Sequence, residues 1–238
     1  MAMKINEIVS YIFSGSAYSF AAPFTRWLEA SPPFRAFAEP HRVKIRKKVR
    51  NIRDEETQRD LVAELAVACR LARERRFAVA YEVYSAGKQR GPDFSVTFRT
   101  RIPFNVEVTR LRAPGTVPVI EDAAPRTKVA NTICTKLAQL PPSVINVLVL
   151  VTDGAAYEAG DLAGATALLA ERALRKDDGF FQRRGLLGTR DFHHHYQRLS
   201  TVLLGRLTDT GALEPLSLWP NPQARHPLPA DLTTILQQ

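Results

Sequence analysis

Two acidic residues occupy strand-like segments where their side chains could do chemistry together. Asp93 follows Gly91-Pro92 at the start of an alternating segment, and Glu107 lies 14 residues later (107 − 93 = 14) between two valines. If the two segments pair as neighbouring strands, both carboxylates can lie on the same side of the sheet. Asp93 can also be read as an ordinary turn residue, whereas a charge in mid-strand is costly to bury without a partner.

A pair of neighbouring carboxylates is suited to a hard divalent cation, because the two negative charges repel each other unless a cation lies between them. Mg²⁺ prefers oxygen ligands and keeps several of its waters. Bound beside a phosphodiester, such an ion activates water and stabilises the charge on the phosphate. The pair therefore predicts Mg²⁺ (or Mn²⁺) as cofactor and phosphodiester hydrolysis as the reaction.

Hydrophobic periodicity predicts the elements that position this pair. Residues 1 to about 40 read as short helical pieces interrupted by prolines. The predicted helices that follow are His41 to about Arg75, Arg126–Leu140, Asp161–Lys176, His193–Leu199 and Ala230–Gln237. Within the first of these, the run Asp54-Glu55-Glu56 is either a break in the helix or a solvated stretch. The predicted strands are Phe77–Tyr84, Asp93–Arg99, Phe104–Leu111, Ile145–Thr152 and a hairpin of Ser200–Leu207 with Leu213–Trp219, and Gly179–Gly188 reads as a loop.

This order predicts an α/β fold, with a central mixed β-sheet flanked by helices. The predicted division is a helical N-terminal appendage with a basic helix (1–57) and an α/β domain (58–238) that ends in a hairpin–helix extension.

With these elements in place, the sequence resembles the PD-(D/E)XK, or restriction-endonuclease-like, superfamily. Pro92-Asp93 matches its first motif, and Glu107-Val108-Thr109 occupies the place of its second. The matching order of helix, three strands, helix and strand covers about residues 60–152. The resemblance implies a restriction-endonuclease-like core and a Mg²⁺-dependent nuclease whose metal is held by Asp93 and Glu107.

The same resemblance implies further catalytic residues. Glu64 falls on the preceding helix and Gln139 on the following one, at places where such proteins often carry an acidic and a polar residue. The lysine of the second motif is Thr109 here, and a hydroxyl cannot supply its charge. Lys136 or Lys128 could replace that lysine from the following helix. Alternatively, Glu64 forms a helix-surface salt bridge, and Lys136 and Gln139 are ordinary exposed residues.

The net charge of +9 favours a polyanionic partner, nucleic acid, because lysine and arginine neutralise phosphates and release counterions. The basic run of residues 42–53 is either a phosphate-binding surface or a solvated helix face. The arginines near the carboxylate pair either contact the backbone of a nucleic acid or pair with acidic neighbours in the protein. The candidate nucleic-acid residues are Arg42, Lys44, Arg46, Lys47, Lys48, Arg50, Arg99, Arg110 and Arg112.

Other features indicate a protein with reduced thiols and no membrane association. The cysteines Cys69 and Cys134 lie in apolar, helix-like stretches, which is typical of a cytoplasmic protein. The first residues do not read as a signal peptide, and the longest apolar run, Ile145–Val151, is too short to span a bilayer. His193-His194-His195 is interpreted as a polar surface cluster, since three consecutive histidines on a helix cannot all face one ion.

Three classes of function are therefore compatible with the sequence. The first is a metal-dependent nuclease, active as a monomer or a homo-oligomer. The second is a nuclease-like fold that has lost catalysis and binds nucleic acid or a partner protein, which Thr109 favours. The third is a purely structural basic protein, which predicts no strong salt-dependent binding to DNA.

Overall fold

The structure is a computed structural model that describes residues 3–14, 18–83, 91–112, 124–154 and 156–238. The helices in these ranges are α1 (Ile5–Phe13), α2 (Ala21–Ala30), α3 (Pro32–Arg50), α4 (Glu55–Arg73), α5 (Pro125–Leu137), α6 (Ala159–Leu174), α7 (Asp178–Gln182), α8 (Thr189–Tyr196) and α9 (Ala230–Gln237). The strands are β1 (Phe77–Tyr81), β2 (Phe94–Phe98), β3 (Ile102–Leu111), β4 (Ile145–Asp153), β5 (Thr201–Leu207) and β6 (Leu213–Pro220). Tyr84, the predicted end of the first strand, lies outside the described residues.

The six strands form one mixed sheet in the order β1-β2-β3-β4-β5-β6. The first three pair as an antiparallel meander, β3, β4 and β5 run parallel, and β6 returns antiparallel to β5. Each parallel connection carries at least one helix, as a crossover between parallel strands requires. The predicted α/β class with a mixed sheet flanked by helices is confirmed, and the predicted C-terminal hairpin continues the same sheet.

Apolar side chains cover both faces of the sheet. One cluster joins α1–α4 and α9 to one face, which includes Val106 and Val149. The other joins α5, α6 and α8 to the opposite face, which includes Leu148 and Leu150. Neighbouring residues of β4 thus point into different clusters, as the two-residue period of a strand dictates. The N-terminal helices share a cluster with the sheet, and the boundary predicted after residue 57 falls inside α4.

The predicted start of the basic helix was wrong, whereas the break that the Asp54-Glu55-Glu56 run could mark is present. The helix expected to begin near His41 begins at Pro32 and runs through Pro40, which removes only one backbone donor from the helix. Buried Phe37 and Ile45 on either side of this proline pack into the same apolar cluster, and this packing outweighs the lost hydrogen bond. The chain then breaks before α4, where Asp54 caps the helix by accepting a hydrogen bond from the Thr57 amide at 2.7 Å.

The predicted loop Gly179–Gly188 was also wrong in part, because it overlaps the short helix α7. The Asp177 carboxylate accepts a hydrogen bond from the Phe180 amide at 2.9 Å and caps this helix. Phe180 and Phe181 are buried. The capping aspartate next to two aromatic residues was the sequence signal for this helix.

A buried polar ladder crosses three strands and fixes their alignment. Ser95 Oγ donates to Asn105 Oδ1 at 3.1 Å, and Asn105 Nδ2 donates to Asn146 Oδ1 at 3.3 Å. Asn146 is 0% exposed, and its Nδ2 lies 2.9–3.1 Å from the carbonyl oxygens of Pro141, Val144 and Arg198. Because Ser95 lies in β2 and Asn105 in β3, this ladder also holds the two strands that carry the candidate site.

Strand β6 lies at one end of the strand order and is irregular. Its pairing with β5 shifts register between Leu204 and Gly205. Two of its residues are prolines: Pro215 lies opposite Gly205 and Pro220 opposite Thr201. A proline has no backbone N–H to donate, which is why prolines within sheets are found on edge strands.

Candidate metal and catalytic site

The pairing of β2 with β3 places Asp93 and Glu107 together. Phe94 is paired with Val106 in antiparallel strands. Asp93, which precedes Phe94, therefore lies beside Glu107, which follows Val106. The Val108 amide donates to Asp93 Oδ2 at 2.8 Å, which holds the Asp93 carboxylate against β3. Glu107 is 5% exposed. The predicted neighbourhood of the two carboxylates is what the structure contains.

The electrostatic environment of Asp93 disfavours its charge. Burial, and then the negative charges of Glu64 and Glu107, raise the pKa of the Asp93 carboxyl well above its ordinary value. The hydrogen bond from Val108 and the positive charge of Lys48 act in the opposite direction but do not outweigh them. Burial and two neighbouring carboxylates thus both favour the protonated form of Asp93 when no metal ion is bound.

Lys136 supplies a cation directly at this pair. Its Nζ lies 2.7 Å from Glu107 Oε1 and 3.5 Å from Gln139 Oε1. Lys128, the other predicted substitute for the motif lysine, instead donates to the backbone carbonyl of Arg112. Of the two lysines on α5, Lys136 reaches the carboxylates.

Thr109 and Arg110 lie on opposite faces of β3. The Thr109 hydroxyl is buried and has no hydrogen-bond partner within the described ranges. The Arg110 side chain is 2% exposed and lies 2.5 Å from Glu56 and 2.8 Å from Asp60, both near the start of α4. The position after Glu107-Val108 thus supplies no charge, and the next residue cannot turn toward the site.

Glu64 lies inside a polar cluster between α3, α4 and the end of β1. It accepts hydrogen bonds from Lys48 Nζ and from the Tyr81 hydroxyl, both at 2.5 Å. Lys48 also lies 2.8 Å from Glu82, and Lys44 donates to the Tyr81 carbonyl at 2.6 Å. Glu64 therefore forms the salt bridge that the alternative interpretation predicted, at a largely buried position from which its charge also acts on Asp93.

Lys48 is fixed in this cluster by two acidic side chains. Its burial alone would lower the pKa of the ammonium group, but Glu64 and Glu82 together raise it, so Lys48 stays charged. The backbone turn at Glu82, with φ +47°, follows β1, and its amide donates to the Asp93 carbonyl at 2.8 Å. Sequence reasoning missed Tyr81, because a buried strand tyrosine carries no signal of an acidic partner on a helix.

Most of the predicted nucleic-acid residues are engaged within the protein. Arg110 and Arg112 pair with Glu56 and Asp60, and Arg99 pairs with Asp231 at 3.4 Å. The residues of α3 that point inward or stack on Tyr11 are Arg42, Lys44, Arg46 and Lys48. Lys47 and Arg50 are exposed, and neither forms an ion pair in the part of the chain that the structure describes. Of the predicted nucleic-acid residues, Lys47 and Arg50 are therefore the two that remain exposed without an ion pair among the described residues.

The donor set at the site fits a largely hydrated Mg²⁺. Among the described residues, no three His, Cys, Asp or Glu side chains are grouped closely enough to enclose a metal ion. Mg²⁺ needs only one or two carboxylates, because waters and substrate phosphates complete its coordination. Asp93 and Glu107 provide two, brought together by the pairing of Phe94 with Val106. The consecutive histidines lie elsewhere, on α8, where His195 pairs with Asp191 at 3.1 Å.

No family model matches the chain, and no curated protein or solved structure matches it. None of the described helices is both long enough and apolar enough to cross a membrane.

Proposed function

We propose that this protein is a Mg²⁺-dependent nuclease with a restriction-endonuclease-like core. Support comes from the order α4, β1, β2, β3, α5 and β4, in which a helix precedes three antiparallel strands and a second helix leads to a strand parallel to the third. That order is the one that the motif resemblance implies. The acidic residues fall on the implied elements: Glu64 on α4, Asp93 before β2 and Glu107 in β3.

The contact between Lys136 and Glu107 carries the proposal. Asp93 and Glu107 would hold Mg²⁺, which supplies an activated water and neutralises charge on the scissile phosphate. Lys136 supplies the positive charge that Thr109 lacks, where negative charge develops during hydrolysis. Gln139, at 3.5 Å, orients the Lys136 ammonium group, and Glu64 adds a third carboxylate at the edge of the site.

The test is cleavage of supercoiled DNA and of structured RNA in the presence of Mg²⁺ or Mn²⁺. We expect cleavage by the wild type, none in EDTA, and at least a roughly hundredfold loss in Glu107→Ala, the order lost when one electrostatic contributor to a reaction centre is removed. Asp209→Asn, an exposed residue of the β5–β6 turn, is the matched control and should cleave normally. Cleavage that persists in Glu107→Ala would refute the assignment.

Lys136→Met is expected to lower the cleavage rate by about a hundredfold, because the positive charge beside Glu107 is lost. Methionine keeps an unbranched apolar side chain that can still pack in the same place. Lys128→Met removes the same charge from the same helix but from a lysine that contacts a backbone carbonyl, and it should stay within about twofold of the wild type. The measurement is the single-turnover rate at saturating Mg²⁺. The reverse ranking would assign the lysine function to Lys128.

A second candidate function is a nuclease-like fold that binds nucleic acid without cleaving it. Thr109 favours this alternative, since its hydroxyl, which has no hydrogen-bond partner among the described residues, supplies no charge at the motif position. Such a protein would bind DNA or RNA with an affinity that falls steeply with salt and would show no cleavage with either metal ion. Binding assays at several salt concentrations, run beside the cleavage assay, separate the two functions.

A further inference from the structure

A cavity of about 620 Å³ lies near the C-terminal end of α4. It is enclosed by α2, α4, the β5–β6 hairpin and α9. Apolar side chains form much of its wall: Trp27, Cys69, Phe77, Leu213 and Leu236. This volume and lining are those of a site for a small organic molecule.

Three arginines line this otherwise apolar cavity: Arg26, Arg70 and Arg73. In the described part of the chain none of them forms an ion pair with a carboxylate. The one acidic side chain of the lining, Glu74, is already bound by Arg76 through two hydrogen bonds of 2.7 Å. The other negative group of the lining is the terminal carboxylate of Gln238, so the three arginines still outnumber the negative charges of the described lining.

Arg70 is the most enclosed of the three. Its guanidinium donates to the carbonyl oxygens of Leu236 at 3.1 Å and Leu213 at 3.5 Å, which fixes its orientation. An arginine has five N–H donors, so these two contacts leave donors for a further acceptor. Burial lowers the pKa of the Arg70 guanidinium, and Arg70 forms no ion pair with a carboxylate within the described ranges. A half-buried cation without an anion is costly, and a bound anion would remove the cost.

The indole of Trp27, an aromatic part of the lining, is fixed by the β5–β6 hairpin. Gly211, with φ +81°, packs against the indole of Trp27 so closely that an added Cβ would lie 2.7 Å from Cζ2. Glycine is required there both by the left-handed backbone and by the close approach. Trp27 lines the cavity, and because it is only 4% exposed, most of its indole is held by the surrounding protein and the ring is fixed in place.

We propose that this cavity binds a small organic anion, with a flat apolar body against Trp27 and Phe77 and an anionic group on Arg70 and Arg73. The ligand class is an aromatic carboxylate or an aromatic phosphate, which share this chemistry. The site is separate from the Asp93–Glu107 pair and does not depend on nuclease activity. Arginine is the residue suited to planar, two-point recognition of such groups.

Binding is measured with 8-anilinonaphthalene-1-sulfonate, an aromatic anion, and with N-phenyl-1-naphthylamine, which has the same body without the charge. The chain has two tryptophans, so in a Trp219→Phe background Trp27 is the only one. We expect the anionic probe to quench Trp27 emission with one-to-one stoichiometry. Bound probe should be displaced by 1-naphthoate or 1-naphthyl phosphate, and the stronger competitor identifies the preferred anionic group. If neither 1-naphthoate nor 1-naphthyl phosphate displaces the bound probe, the proposal is overturned.

Arg70→Met should lower the affinity for the anionic probe by about tenfold or more. Its affinity for the neutral probe should stay within about twofold of the wild-type value. Arg175→Met is the matched control: it removes the same charge from a side chain that is 67% exposed at the end of α6. Equal weakening by both variants, or unchanged binding in Arg70→Met, overturns the proposal. If Arg70→Met fails to fold by circular dichroism, Arg73→Gln takes its place, with the same ranking of probes expected.

Discussion

Replacing Asp93 with asparagine is expected to abolish cleavage while it makes the metal-free protein more stable at neutral pH. Asparagine keeps an oxygen that can accept the hydrogen bond from the Val108 amide but carries no charge. The cleavage rate should fall by at least about a hundredfold, because the proposed metal-binding site loses one of its two carboxylates.

The gain in stability follows from the raised pKa of Asp93. The folded protein holds this proton more tightly than the unfolded chain does, so the free energy of unfolding falls as the pH rises above the ordinary aspartate value of 3.8. The free energy of unfolding goes on falling until the pH reaches the raised pKa of Asp93 in the folded protein. Asparagine does not titrate, so the variant does not lose stability in this way. Mg²⁺ should stabilise the wild type at neutral pH by occupying the pair and should not stabilise the variant.

Urea unfolding in EDTA, from about pH 4 to about pH 8, measures this difference. The curves of wild type and Asp93→Asn should diverge as the pH rises, and those of wild type and Asp209→Asn should stay parallel. A variant less stable than the wild type at every pH would show that the Asp93 charge is structural. A variant that still cleaves would remove Asp93 from the metal site.

Asn146→Leu is expected to be the most destabilising of the substitutions considered. Leucine has nearly the same size, but the carbonyls of Pro141, Val144 and Arg198 lose their common donor. Each unsatisfied buried carbonyl costs about 1–3 kcal/mol, so a loss of about 4 kcal/mol is expected. For a chain of this length the melting temperature should fall by about 10 °C.

Thermal and urea unfolding of Asn146→Leu measure this loss, with Asn51→Leu as the control. Asn51 is exposed at the end of α3, and its replacement should change stability by less than about 0.5 kcal/mol. If Asn146→Leu costs less than about 1 kcal/mol, water must reach the three carbonyls in the variant. The polar ladder would then contribute little to the alignment of β2 and β3.

Much of the sheet and of the site could be predicted from the sequence because both depend on local periodicity. The alternation of β3 puts Glu107 and Thr109 on one face and Arg110 on the other, and in the structure Glu107 contacts Lys136 whereas Arg110 contacts Glu56. A strand has a fixed two-residue period, so this assignment requires no tertiary information.

The surroundings of Glu64 could not be predicted in the same way. Lys48 and Tyr81 reach Glu64 only because α3 and the end of β1 pack beside α4. The basic run of α3 read as a surface, yet Lys44 and Lys48 point inward once the helix is docked. A helix has several faces, and the one that is buried is decided by its partners.

The two prolines and the register shift of β6 have a consequence for the behaviour of the protein in concentrated solution. A regular terminal strand invites the strand of another molecule to hydrogen-bond along it, which leads to aggregation. In β6, Pro215 and Pro220 lack the donors that such a contact requires, and the irregularity near Gly205 interrupts a flat template. This side of the sheet is thereby protected against strand addition between molecules.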